Sequence, residues 1–383
     1  MQAIPNIIEI IAGLIAFTLI HLPDFIRVLI FPGFLTLTLA AYLMVWFERK
    51  FLAKIQMRVG PQYAGRFGGI LQPVADFLKL FFKEHIVPEK ADRLFFRVVP
   101  IVFLTLASLP IIVIPFGSSI LPIPNATFQV WTPHIVSWVI ISEGFVATYG
   151  LLIFFAISAL FPMVVLIAGW ASNSKYPFIG GVRSLFQQVS YEIPMWISAL
   201  AVVVLSGTIN LTLITSSQQQ IWFIIPLFLS ALIFFIAIVA ELERIPFDLP
   251  EAEPEIVSGW MTEYSGAPFL LIYLSFYVKM FTVAALFTTL FLGGWLPFPF
   301  FAGGMLTPPL PVLFPNFLPE PIWFLVKVGL VTIVIIFLRG VYPRTRLDQI
   351  LRVAWSIWIP LSFVALFLAA SMVIFGIFPI GGL

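Results

Sequence analysis

The sequence predicts an all-α polytopic membrane protein of about eight transmembrane helices with two large cytoplasmic loops, on three observations. Hydrophobic residues fill 61% of the 383 positions and charged residues only 10%. A soluble domain carries roughly a quarter charged residues, so the surface that lacks them faces lipid. The apolar residues gather into runs long enough to cross a bilayer, and the basic residues alternate between connections.

A hydrocarbon core of roughly 30 Å needs about 20 apolar residues per helix. Segments 28–47, 94–115, 149–170, 184–206, 221–241, 268–291, 321–339 and 353–377 meet that need. The stretch 4–20 is shorter, contains Asn6 and Glu9, and runs into His21, Pro23, Asp24 and Arg27. It reads as interfacial, with a ninth spanning helix as the alternative. Residues 135–148 are apolar, carry Glu143 and adjoin the third span, which predicts a long, broken helix. The connections 116–135, 207–220 and 292–320 contain no Lys or Arg. The others hold Arg49 through Arg93, Lys175 and Arg183, Arg244, and Arg339 through Arg352, which places them on the cytoplasmic side. Residues 1–383 thus read as one integral membrane domain. The N-terminus lacks the basic region and cleavage site of a signal peptide, and no internal repeat points to an inverted-repeat transporter.

Several chemistries are excluded. Without cysteine there is no thiolate-held iron–sulfur cluster, thiolate zinc site or disulfide. His21, His85 and His134 all lie outside the long apolar runs, which argues against a membrane haem with two histidine ligands. No phosphate-binding loop or dinucleotide fingerprint occurs. Any electrons must be carried by another polypeptide, and the net charge of +2 gives no pointer to nucleic acid.

The first cytoplasmic loop, 48–93, begins with charge on a continuing helix, broken by Gly60-Pro61 and Gly65. Gln72, Asp76, Lys79 and Lys83 then recur on one helical face, opposite Ile70, Val74, Phe77, Leu78 and Phe81, with Pro73 suited to a first turn. That amphipathic helix either lies in the interface or presents a polar wall to a docked partner. The second loop, 241–266, holds Glu241, Glu243, Asp248, Glu251, Glu253, Glu255 and Glu263 against Arg244 alone. Mutually close carboxylates do not all ionise cheaply, so coupled titration suited to a proton relay is one reading; a solvated acidic loop is the other. The interleaved Pro246, Phe247, Leu249 and Pro250 favour a packed, fixed segment.

Within the spans, an ionisable residue costs about 2.5–3.5 kcal/mol on insertion scales, so each needs a reason. Glu192 lies nine residues beyond Arg183, about 13 Å deep at 1.5 Å per residue. Ser184, Gln188 and Tyr191 share its face, which favours a buried proton-carrying role over packing alone. Lys279 lies about 17 Å into its helix and calls for a carboxylate on a neighbour. Lys327 is close enough to Pro321 for snorkelling to the interface to account for it.

The order of motifs carries a resemblance. Glu48-Arg49-Lys50, Gln56-x-Arg58-x-Gly60-Pro61 and Leu71-Gln72-Pro73-x-Ala75-Asp76-x-x-Lys79 resemble the first cytoplasmic loop of the NuoH-type membrane subunit of complex I (NdhA in cyanobacteria and plastids). Trp170 through Tyr176, Ser190-Tyr191-Glu192, Arg244-x-Pro246-Phe247-Asp248-Leu249-Pro250-Glu251-Ala252-Glu253, Glu263-Tyr264-Ser265-Gly266 and Gly293-Gly294-Trp295 follow in the family's order. The resemblance implies a heel subunit joining the membrane and peripheral arms of a proton-pumping quinone oxidoreductase in an energy-coupling membrane. It implies that quinone is the substrate, that iron–sulfur clusters sit only in partner subunits, and that no cofactor is bound covalently here. On it, Arg49, Arg58, Asp76, Lys79, Arg244, Phe247 and Asp248 line or support a quinone chamber. Glu192, Glu241, Glu251, Glu253, Glu255 and Glu263 form an acidic proton route toward antiporter-like subunits. The chain departs from the pattern at Ala159 and Phe276, where many relatives carry Glu, and at Thr148, where they carry Asp. Those departures leave Glu143 and Lys279 as candidate substitutes. Two rivals stand beside this reading: the membrane subunit of an energy-converting nickel–iron hydrogenase, and a stand-alone ion transporter. The electron donor and quinone type stay open.

Overall fold

A computed structural model of the chain describes residues 33–65, 68–117, 148–219, 221–250, 253–297 and 320–376. The described residues are helical with connecting turns, and no strand occurs among them. The helices are α1 (Phe34–Ile55), α2 (Gln72–Phe81), α3 (Arg93–Ser108), α4 (Gly150–Ser158), α5 (Phe161–Ala171), α6 (Lys175–Ser206) and α7 (Leu211–Ser216). They continue as α8 (Phe228–Glu241), α9 (Glu253–Ile256), α10 (Gly266–Phe291), α11 (Glu320–Val341), α12 (Leu347–Val353) and α13 (Ile359–Ile374).

Among the described residues, six helical stretches are long and apolar enough to cross a membrane: Arg93–Val113, Gly150–Ala171, Lys175–Ser206, Gly266–Phe291, Glu320–Val341 and Leu347–Ile374. Each coincides with a span read from hydropathy. The other two expected spans differ. The segment 28–47 overlaps α1, whose second half carries Glu48, Arg49, Lys50 and Lys54. The segment 221–241 is helical only from Phe228, a helix of 14 residues. Pro226 explains the late start, because proline disfavours helical geometry in the residue before it. The stretch 4–20, and Glu143 with its surroundings, lie outside the described residues.

Local chemistry fixes the ends. Asp92 caps α3 by accepting from the Leu94 and Phe95 amides at 3.1 and 3.4 Å. Pro162 sits in the first turn of α5, where its missing N–H costs nothing, and so separates α5 from α4. Gly207, at φ 71°, ends α6 in the left-handed conformation that glycine adopts without strain.

Two long helices organise the packing. α6 lies against α5, α8 and α13, while α10 lies against α3, α11 and α1, and α8 touches both. Close crossings use glycine: a Cβ on Gly180 would stand 2.6 Å from the Trp260 amide nitrogen. Trp260 is thereby drawn fully inside the bundle. Its ring meets Phe103 and Phe276 at 5.5 and 6.0 Å, and Tyr264 stacks on Phe96 at 4.2 Å. This aromatic cluster pins the end of the second loop onto α3 and α10. It also accounts for Phe276, where the resemblance expects a carboxylate: the position is packed by rings.

Candidate functional site

The segment 241–248 leaves α8 and folds back under the bundle, where it brings three groups of charge together. The first is centred on Glu48, whose side chain is 2% exposed in the second half of α1. Arg244 donates to its carboxylate at 2.6 Å, and Arg339 from the end of α11 donates to the other oxygen. The Arg244 guanidinium lies 4.8 Å from the centre of the Tyr277 ring, whose hydroxyl is 3.1 Å from that of Tyr273. Next along α1, Arg49 pairs with Asp76, which also accepts from Gln72 at 3.2 Å. Arg344 pairs with Asp248 at 3.0 Å, and Thr345 donates through its amide and hydroxyl to the Pro246 carbonyl. α1, the second loop and the α11–α12 connection are thus tied by charge.

The second group is Glu241 and Lys279, each 5% exposed, with Nζ 3.3 Å from Oε1. Nζ also donates to the Glu241 carbonyl at 3.1 Å and lies 4.1 Å from the centre of the Phe161 ring. Ser158 donates to Oε1 at 2.5 Å. The neighbour of Ala159, where the resemblance expects an acid, therefore serves Glu241 directly. Glu241 Oε2 and Glu192 Oε1 are buried without a hydrogen-bond partner among the described residues. Glu192 interacts electrostatically with both Glu241 and Lys279.

The third is Glu243, which α6 receives. Ser184 and Gln188 donate to its Oε1, the latter at 2.6 Å. Gln187 fixes the turn by donating to the carbonyls of Ala240 and Phe247, both at 2.8 Å. Burial pushes the Glu243 carboxyl above its ordinary range, against the pull of the Ser184 and Gln188 hydrogen bonds. Phe247 packs on Tyr191, with ring centres 5.2 Å apart.

Of the residues read from the sequence, Arg49, Asp76, Arg244, Phe247, Asp248, Glu192, Glu241 and Lys279 gather around this segment. Others stand apart. Arg58 is exposed and donates to Gln56 at 2.6 Å, and Lys79 is exposed on α2. Glu255 is 55% exposed and paired with Arg183. Glu263 is partly buried beyond the turn that holds Trp260. Glu251 and the Glu253 side chain lie outside the described residues. Sequence reasoning passed over Glu48 and Glu243 as site residues. Glu48 is an acid at the mouth of an apolar run, beside Arg49 and Lys50, and that is the signal that marks it.

Lys327 corrects the snorkelling expectation. It is 1% exposed, donates to the carbonyls of Leu292, Gly294 and Leu296, and lies 4.3 Å from the centre of the Trp222 ring. Those carbonyls follow the C-terminus of α10, where a cation complements the helix dipole.

Residues 27–370 match the family described as NADH dehydrogenase. The chain is 39% identical over 335 residues to the H subunit of the NADH-quinone oxidoreductase of Rhodospirillum rubrum, covering 87% of this chain and 89% of that one. It is 40% identical over 342 residues to the corresponding protein of Geobacillus thermodenitrificans, covering 89% and 90%. The counterpart in Geobacillus kaustophilus is 40% identical over 354 residues, covering 91% and 95%.

Proposed function

We propose, for a chain that belongs to the NADH dehydrogenase family of membrane subunits, that it is the heel subunit of a proton-translocating quinone oxidoreductase. In this reading it forms much of the quinone chamber and the acidic route that couples the chamber to antiporter-like subunits. Electrons arrive from an iron–sulfur cluster in a partner subunit, and quinone is the substrate. The observation that carries the reading is the convergence on 241–248: Glu241, Glu243 and Glu192 on one side, Arg244 held by Glu48 on the other.

The chemistry follows from that arrangement. Two-electron reduction of a quinone leaves two negative charges that must be met by protons. A buried carboxylate cluster beside fixed guanidinium groups answers such a charge by changing its protonation. Arg49, Asp76, Arg244, Phe247 and Asp248 shape and hold the chamber, with Arg58 and Lys79 at its exposed margin. Glu241, Glu251, Glu253, Glu255 and Glu263 respond to the charge, and Glu192 passes the response into the membrane arm.

The test is purification of the tagged chain in mild detergent, followed by mass spectrometry and by quinone reduction in inverted vesicles. Co-purification with iron–sulfur subunits and antiporter-like proteins, with acidification driven by quinone reduction, is the expected result. A partner that retains nickel-binding cysteine pairs would replace the reading with a hydrogenase. A chain that purifies alone would replace it with a transporter.

A further inference from the structure

The connection between α11 and α12 reaches back to one short segment, 244–248. α11 ends pressed on α1: a Cβ on Gly340 would stand 2.7 Å from Ile55 Cδ1, and the same close crossing sets Arg339 against Glu48. Pro343 then ends the helical run, because proline disfavours helical geometry in the residue before it. The next two residues both take hold of the second loop. Arg344 pairs with Asp248 at 3.0 Å. Thr345, half-buried, gives the Pro246 carbonyl two donors, its amide at 3.2 Å and its hydroxyl at 2.8 Å. From α6, Gln187 donates to the Phe247 carbonyl at 2.8 Å. The acidic residues just before the segment are held by other groups: Glu241 by Ser158 and Lys279, and Glu243 by Ser184 and Gln188. The hold from the α11–α12 connection therefore falls on the stretch with Arg244, Phe247 and Asp248, and leaves the carboxyl side to different partners.

Resting on the reading above, in which Arg244, Phe247 and Asp248 belong to the chamber, we propose that Thr345 is a positioning residue for quinone binding, with Arg344 as its second hold. Neither side chain meets the quinone; they act through the Pro246 carbonyl and the Asp248 carboxylate. A carbonyl oxygen has two lone pairs, and Thr345 supplies a donor for each. Proline has no N–H, so this carbonyl is the one main-chain polar group by which Pro246 can be held. It stands between two fixed side chains. The Arg244 guanidinium is pinned by Glu48 at 2.6 Å, and the Phe247 ring lies 5.2 Å from that of Tyr191. Releasing the carbonyl frees the backbone between those two anchors, and the wall then samples further shapes. A site that is competent for only part of the time binds with an affinity reduced by that fraction. Once quinone is bound the wall is ordered around it, and the carboxyls, held from α4, α6 and α10, are undisturbed. The hold therefore sets the KM for quinone and leaves kcat and the proton route alone.

The experiment measures KM, kcat and protons moved per electron in inverted vesicles of the assembled complex, with a short-chain quinone as the varied substrate. It compares wild type with Thr345→Val and Thr345→Ser. Valine keeps the shape and the amide donor and removes only the hydroxyl, which serine restores. One hydrogen bond is worth about fivefold in affinity, so Thr345→Val should raise KM about fivefold with kcat and protons per electron unchanged. Thr345→Ser should stay within about twofold of wild type, since its hydroxyl makes the same bond. An unchanged KM in Thr345→Val would overturn the proposal. So would a KM and a kcat that worsen together and are not restored by serine, the pattern of a contact that serves the fold alone. Should Thr345→Val not assemble, Arg344→Met carries the test. Loss of a charged hydrogen bond from a partly exposed arginine should raise KM about tenfold at constant kcat, and an unchanged KM would again overturn the proposal. Wild-type vesicles that reduce no quinone would overturn the parent reading and this one with it. Wild-type turnover beside an unaltered Thr345→Val overturns the positioning role alone.

Discussion

Removing the charge of Glu48 should loosen the segment that carries Arg244 while leaving Arg339 nearly indifferent. Glu48 and Arg244 are 2% and 9% exposed, with N···O at 2.6 Å. Charge centres about 4 Å apart in a medium of effective dielectric about 20 attract by about 4 kcal/mol. Loss of one partner from a buried pair typically costs about 3–5 kcal/mol, because the other charge is stranded. Arg339 is 40% exposed and finds water when released, so its share should stay under about 1 kcal/mol. Glu48→Gln keeps the shape of the side chain and isolates the charge. The assay is hydrogen exchange on the purified complex, read at the Phe247 and Leu249 amides, which donate to the Arg244 and Phe247 carbonyls at 2.7 and 3.0 Å. A loss of about 3 kcal/mol corresponds to roughly a hundredfold faster exchange. Adding Arg244→Met should recover most of it, and adding Arg339→Met should not. Exchange accelerated by less than about tenfold would show that Arg244 is held by other means, the Tyr277 face above all.

Three further outcomes are expected. The Glu243 carboxyl sits above its ordinary value of 4.5 because it is buried, so the folded state binds its proton more tightly than the unfolded chain does. Stability from this group is fully present below that ordinary value and is lost as pH rises through the folded one; Glu243→Gln should flatten this decline in melting temperature. Gly180→Ala would press a methyl group against the Trp260 backbone at 2.6 Å, and overpacking of this kind costs about 1–3 kcal/mol. Limited proteolysis should then cut the 257–263 turn faster, and unchanged resistance would refute the contact. Lys327→Met removes the donor from one buried and two partly buried contacts to carbonyls, and a buried carbonyl left orphaned costs about 1–3 kcal/mol. The assembled complex should melt several degrees lower, with protons moved per electron unchanged.

The spans were legible because lipid demands unbroken apolar runs, and no tertiary contact overrides that demand. The failures have local causes. Pro226 delays α8, and the charged entry of α6 hides the helix between Lys175 and Arg183 from a hydropathy window. Charged site residues were legible one by one, since each is expensive where it stands. Their partners were not: Glu48 meets Arg244 across 196 positions and Arg339 across 291. Nothing in local spacing encodes such pairs. Lys327 was misread for the same reason, because its acceptors are backbone carbonyls, which have no signature in composition. Phe276 read as a gap in a polar route; only the rings around it show why an apolar residue belongs there.

The arginines and the lysines of the bundle meet different kinds of acceptor. Arg244, Arg339 and Arg344 each clasp a carboxylate at the rim of the bundle, and a guanidinium stays charged under any local field and fixes its partner by a planar fork. The two lysines inside the bundle are compact ions on flexible stems, and their partners differ in kind. Lys327 is closed in by three carbonyls and an indole, with no carboxylate among the described residues to draw it elsewhere. Lys279 is held by the Glu241 carboxylate at 3.3 Å and by the Glu241 carbonyl at 3.1 Å, with its ammonium 4.1 Å from the centre of the Phe161 ring. The two lysines differ in their acceptors, backbone carbonyls for Lys327 and a carboxylate with its own backbone carbonyl for Lys279. Lys279 thus ties α10 to the end of α8, at the point from which the segment carrying Glu243 and Arg244 departs.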